Sequence, residues 1–269
     1  MITKKGKPFT IIATLAAVAI VLAAGFAALR ARPELSLTYD PAYWPSTSAK
    51  TGEWHWCLTP SGINYSLYVP AALDREDATP TIPLIVVFHG STQKAIAKDR
   101  FGRIFTTPEM QRRLDANGAA VLAVQSRVEY FSDPHAYARL IENVVMQHHC
   151  IDKTRIAGFG FSQGAAFVQE LAMYEPSLFR AVASGSSYYS ASPAELFRAA
   201  RTRFWCATSR NDKGIYEQGH VTGKILSAIC PDSRYVEYEK RGHFYVEPGD
   251  KSGKGKETFT DWLAKALAR

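Results

Sequence analysis

Pro83-Leu84-Ile85-Val86-Val87-Phe88 is apolar at every position. A strand with one wet face alternates apolar and polar side chains, whereas a strand covered on both faces need not. The run therefore predicts a buried strand of a parallel sheet. Parallel neighbours need crossover connections, usually helical, and the residues that follow supply them. Strand patterns at 119–124, 155–160, 181–185, 204–208 and 235–238 are separated by helical patterns at 108–116, 134–148, 164–174 and 221–229, with a last helix at 256–267. Before the apolar run, two short extended segments at 54–58 and 63–69 flank Thr59-Pro60-Ser61-Gly62, which is turn chemistry for a hairpin. The expectation is an α/β fold: a mostly parallel sheet behind an opening hairpin, with helices on both faces.

The 269 residues divide into three parts. Lys4, Lys5 and Lys7 precede an uncharged stretch of 21 residues, 9–29. At about 1.5 Å per residue such a helix just spans a hydrocarbon core of about 30 Å. It reads as an uncleaved anchor or a cleaved signal, with Gly25-Phe26-Ala27 offering a small-x-small site for the second. Residues 1–32 are thus an address, 33–53 a linker rich in Pro, Ser and Thr, and 54–269 one catalytic-size domain, expected beyond the cytoplasmic membrane. The formal charge of +7 falls to about +2 once the five basic residues of 1–32 are set aside. What remains is mixed in sign, so no nucleic-acid partner is expected. The four cysteines, Cys57, Cys150, Cys206 and Cys230, lack zinc spacing. In an exported chain they suggest two disulfides. Cys206 starts one strand pattern and Cys230 ends the next helix, which pairs them and leaves Cys57 to Cys150.

Gly160-Phe161-Ser162-Gln163-Gly164 fits G-x-S-x-G and falls between a strand and a helix, where the motif has a mechanical meaning. A sharp turn there lifts a serine hydroxyl above the sheet, and small residues on either side let strand and helix approach. A dinucleotide fingerprint built on Gly158, Gly160 and Gly164 has its third glycine one place late and no acidic residue about twenty positions on. Ser162 is the candidate nucleophile.

A serine needs a base, and the base an orienting acid, in chain order nucleophile, acid, histidine. Only His220 and His243 follow Ser162. His220 opens a helical pattern and reads as a surface residue. His243 lies between the last strand and the last helix, where a catalytic loop belongs. Asp212 follows the strand at 204–208 and so lies at the carboxyl edge of the sheet. Asp232 falls near the opposite edge, and Glu247 is a further alternative. The oxyanion donors are expected to be the backbone N–H of Gln163 and of Ser91, in His89-Gly90-Ser91-Thr92-Gln93 after the first buried strand. His89 itself reads as structural.

The His89–Gln93 segment resembles that of polyhydroxybutyrate depolymerase and feruloyl esterase relatives. Gly160 through Ala165 is similar to the elbow of phospholipase/carboxylesterase relatives. Both groups belong to the α/β-hydrolase superfamily, and the likeness covers roughly 54–268. Two positions depart from the pattern: Ala165, and Ser209 in the acid's turn, both where glycine is common. The resemblance implies an α/β-hydrolase fold and hydrolysis of carboxylic esters through an acyl-enzyme, with neither cofactor nor metal. Alternatives are an amidase or peptidase with the same residues, and a catalytically silent envelope protein. The interval between the strands at 181–185 and 204–208 is too short for a cap domain. An open cleft rimmed by Tyr130, Phe131, Tyr188 and Tyr189 is therefore expected, suited to short-chain, aryl or polymer-linked esters.

Overall fold

The structure is a computed structural model that describes residues 52–57, 59, 62–70, 81–91, 102–252 and 257–268. The address at 1–32 and nearly all of the linker lie outside the described residues. Among the described residues, no helix is long and apolar enough to cross a membrane.

Strands β1 (Trp54–Cys57) and β2 (Tyr65–Tyr68) form the expected antiparallel hairpin, Trp54 opposite Tyr68 and Cys57 opposite Tyr65. β2 continues antiparallel onto β4 (Ala120–Val124). From there β3 (Ile82–Phe88), β5 (Ile151–Phe161), β6 (Ala181–Gly185), β7 (Arg203–Ser209) and β8 (Arg234–Tyr238) are parallel, in the order β1-β2-β4-β3-β5-β6-β7-β8. β3 sits between β4 and β5 with all seven residues buried, which accounts for its unbroken apolar run. This is the sheet of the α/β-hydrolase fold.

Among the described residues the α-helices are α1 (Pro108–Leu114), α2 (Pro134–Gln147), α3 (Gln163–Tyr174), α4 (Pro193–Arg198), α5 (Tyr216–Ile229) and α6 (Phe259–Leu267). Thr107 and Asp133 cap α1 and α2, each followed by proline at a position whose N–H needs no partner. Reciprocal bonds between Thr258 and Asp261 start α6 at Phe259, within the helix expected from 256. On one face, Ile85, Val87, Phe159, Ala183 and Trp205 pack with Met110 and Leu114 of α1 and Phe259, Trp262 and Leu263 of α6. Each large side chain buried there contributes on the order of 2 kcal/mol. On the other face α3 covers β5 and β6, and α5 covers β7 and β8.

Two boundaries move. β5 begins at Ile151, whose pairing with Ile82 extends the strand through the polar Asp152-Lys153-Thr154. α5 begins at Tyr216 although Gly219 and Gly223 weaken a helix. A Cβ at Gly219 would stand 2.4 Å from the Ser187 carbonyl oxygen, and one at Gly223 2.8 Å from the Tyr235 ring. Close packing onto the sheet overrides propensity.

The cysteine pairing is corrected, because all four thiols are free. The register puts Cys57 beside Tyr65, and Tyr65 beside Val124, at the edge of the sheet where the parallel strands end. Cys150 accepts from Ile82 N at their amino ends. Opposite edges of a sheet cannot be joined by a bond that needs Cα atoms within about 7 Å. Cys206 lies inside β7, opposite Ser184 and Tyr235, with its sulfur accepting from Gln169. Cys230 instead donates to Ala199 O at 3.5 Å. Burial pushes the Cys206 thiol up to about 12 and that of Cys230 to about 11, as expected of inert packed sulfurs.

Candidate active site

β5 ends at Phe161 and α3 starts at Gln163, so the whole turn falls on Ser162. Its φ of 54° and ψ of −119° lie where side-chain-bearing residues rarely go, at a cost of about 1–3 kcal/mol. The surroundings hold it there. Ser162 N donates to Gly185 O at 2.9 Å. A Cβ on Gly160 would lie 2.3 Å from Gly164 O, and one on Gly164 2.2 Å from Phe88 O. Only glycine at both places lets α3 press against β5 and the exit of β3. A serine at a helix N-cap ordinarily accepts from the first turn; this one makes no such bond, so its hydroxyl is left free of the helix. Gln163 N–H belongs to that first turn, whose donors have no intrahelical partner.

Asp212 and His243 meet. Asp212 sits in the turn after β7, 7% exposed, and His243 Nδ1 stands 2.9 Å from its Oδ2 and 3.1 Å from its Oδ1. A carboxylate only accepts, so Nδ1 carries the hydrogen and Nε2 of the neutral ring is an acceptor. The imidazole packs on Phe161, the residue before Ser162, with ring centroids 4.8 Å apart. The alternatives lie elsewhere: Asp232 is 3.5 Å from Arg203, and Glu247 is 3.3 Å from Arg241.

His243 stands on a stretch with neither helix nor strand, yet its neighbours are held. Arg241 N donates to Ser209 Oγ at 2.9 Å, Gly242 N to Asn211 Oδ1 at 2.7 Å, and Phe244 N to Ser186 Oγ at 3.1 Å. Ser186 itself has a φ of 52°. The Arg241 guanidinium lies over the Tyr238 and Phe244 rings, at 4.7 and 4.5 Å, and bonds the buried Asp250. Sequence reasoning missed Ser186, Asn211, Arg241 and Asp250. The sole signal was Ser209, a hydroxyl where the related pattern has glycine.

His89 is buried, with Nδ1 2.7 Å from Gly90 O and Nε2 accepting from Ser126 N at 3.1 Å. It ties the loop carrying Ser91 to the exit of β4. Ser91 is the last described residue of that loop, and Thr92 and Gln93 lie outside. Both carboxamide atoms of Gln163 are buried without a hydrogen-bond partner among the described residues. Of the expected rim, Tyr130 and Tyr188 are exposed. Phe131 is a correction. It is buried, stacked on Phe167 at 5.2 Å and edge-on to Phe88, because its side chain fills the space between sheet and helices. Tyr189 is partly buried and donates to Glu195. His220, read as a surface residue, is half-buried and sits 2.8 Å from Glu237 and from the Tyr235 hydroxyl. A cleft of about 350 Å³ lined by Ile104, Met110, Arg113, Pro248 and Thr260 shares no residue with this site. Among the described residues no three His, Cys, Asp or Glu side chains converge as metal ligands.

No protein-family model and no curated protein matches the chain. Solved structures do. A thermostable esterase superposes with a TM-score of 0.57 at 22% identity, over 80% of this chain and 59% of that one. A ferulic acid esterase gives 0.56 at 10% identity, over 80% and 95%. The acetyl xylan esterase from Aspergillus awamori gives 0.54 at 15%, over 71% and 94%. The chain therefore spans less than two thirds of the first of these proteins and nearly all of the other two. At such identities the likeness is one of fold, the α/β-hydrolase fold.

Proposed function

We propose that the protein is a serine hydrolase that cleaves carboxylic esters through an acyl-enzyme. The observation that carries this reading is the Ser162 hydroxyl, held on a strained turn and unused by its helix, at the edge where His243 meets Asp212. Ser162 Oγ attacks the ester carbonyl as His243 Nε2 takes its proton. Asp212 holds the ring and offsets its charge. The N–H groups of Gln163 and Ser91 receive the oxyanion. Collapse expels the alcohol, which takes the proton from His243. Water then attacks the acyl group, passes a proton to His243, and the acid leaves as Ser162 regains its hydrogen.

The neighbours named as acetyl xylan and ferulic acid esterases support an ester, and short-chain or aryl acyl groups in particular. The apolar stretch 9–29 supports an address at or beyond the cytoplasmic membrane, with the segment inserted if uncleaved. The reading is tested with a fluorophosphonate probe on the full chain. Labelling is expected, and Ser162→Ala should abolish it and lower turnover by about four orders of magnitude or more. Undiminished ester hydrolysis by folded Ser162→Ala would remove Ser162 from its role. A chain that neither labels nor hydrolyses esters would instead be a silent module.

A further inference from the structure

We infer that Ser209 and Asn211 act as one positioning unit that fixes His243 against Asp212, an inference that rests on the function proposed above. The backbone around His243 belongs to no helix or strand, so no ladder holds it. Three of its N–H groups, at 241, 242 and 244, nonetheless end on side-chain oxygens, and two of those oxygens come from the turn that carries Asp212. Ser209, the last residue of β7, is fully buried, and its hydroxyl accepts from Arg241 N while donating to Asn211 Oδ1 at 2.7 Å. That same Oδ1 accepts from Gly242 N at 2.7 Å. The two side chains therefore close a ring of hydrogen bonds joining the acid's turn to the histidine's loop, and its Asn211–Gly242 link lies one residue from Asp212 and one from His243.

The bond to Asp212 would hold the imidazole poorly by itself. The His243 side chain is 39% exposed, so water competes for it and screens the charge. Anchoring backbone rather than side chain costs no rotamer entropy in His243, and it fixes where the ring begins. Gly242, at a φ of 68°, supplies the turn that lets 241 and 242 both face the acid's loop. The serine at 209, where the related pattern has glycine, thus supplies the hydroxyl that orients Asn211.

Displacements of about 1 Å at a catalytic group can cost on the order of 10²-fold in rate. Asn211 is exposed, so its replacement should leave the fold intact. In the full chain, Asn211→Ala is expected to lower kcat on p-nitrophenyl acetate, and the rate of fluorophosphonate labelling, by about 10–100-fold, with KM within about twofold. Asn211→Asp keeps the acceptor oxygen and should recover most of that loss. Adding Ser209→Ala to Asn211→Ala should cost little more, because the two act together. Parent-like kcat and labelling in Asn211→Ala would overturn this inference alone, as would an Asn211→Asp variant as slow as Asn211→Ala. A parent chain that the probe does not label would sink the hydrolase reading and this one with it.

Discussion

Asp212 presents both oxygens to His243 Nδ1 and is nearly buried, so the hydrogen on that nitrogen has one place to point. An asparagine there can turn its NH₂ toward the ring. The imidazole would then keep its hydrogen on Nε2, where the proposed mechanism has it accept from Ser162. Asp212→Asn should therefore preserve the fold and cost roughly 10⁴ in kcat, read on an acetyl ester beside a melting curve. Asp232→Asn should be close to neutral in rate, since Asp232 sits in a turn facing Arg203. If the two variants exchange behaviour, the acid has been assigned to the wrong residue.

β8 is an edge strand, and α5 is clamped to it by a polar cluster rather than by an apolar seam alone. Glu237 Oε2 accepts from the hydroxyls of Tyr216 and Tyr235, each at 2.9 Å, and lies 2.8 Å from His220 Nδ1; Oε1 accepts from Arg210 at 2.7 Å. Burial pushes the Glu237 carboxyl up, but the bonds from Tyr216, Arg210, Tyr235 and His220 outweigh it and hold it at about 2, down from 4.5. A carboxyl depressed on folding stabilises the fold fully above its unfolded value. It loses that contribution as pH falls toward its folded one. Glu237→Gln should therefore lower the urea midpoint at pH 6, and the gap to the parent should narrow steadily from pH 5 to pH 3. A gap constant over that range would mean that the charge on Glu237 is not what holds α5 to the edge.

At the scale of the whole molecule, residues 186–202 between β6 and β7 hold only the six-residue helix α4. That interval is too short to hold a cap domain, and Tyr130 and Tyr188, on the loops after β4 and β6, are exposed among the described residues. A site without a cap would give a long acyl chain little apolar surface, at about 0.8 kcal/mol for each CH₂ left in water. Acetyl and butyryl esters, and feruloyl esters that an aromatic rim can hold, should be hydrolysed faster than palmitoyl esters. No activation should appear on adding an emulsion. A strong preference for emulsified long-chain esters would contradict this, whatever the chemistry at Ser162.

The sheet, the helices between its strands and the position of Ser162 were legible in the sequence, because each depends on neighbours along the chain. Period sets strand or helix, prolines and hydroxyls mark helix starts, and Gly160 and Gly164 flank the one serine that the strand-to-helix turn could hold. Asp212 and His243 could be ranked by the edge of the sheet they fall on, though nothing local said that they touch. Phe131, read as rim, is core, and His220, read as surface, is bonded to the edge strand; each depends on which element packs above it. The cysteine bridges failed for a related reason. Spacing suggested partners, but register put Cys57 and Cys150 at opposite ends of the strands. Ser186 and Asn211 left no mark at all, since they accept from a loop 58 and 31 residues further along the chain, and Arg241 braces that loop from within by bonding Asp250. Local pattern determined the elements and the turn at Ser162; only the tertiary structure, through register and the path of its loops, decided that Asp212 and His243 meet.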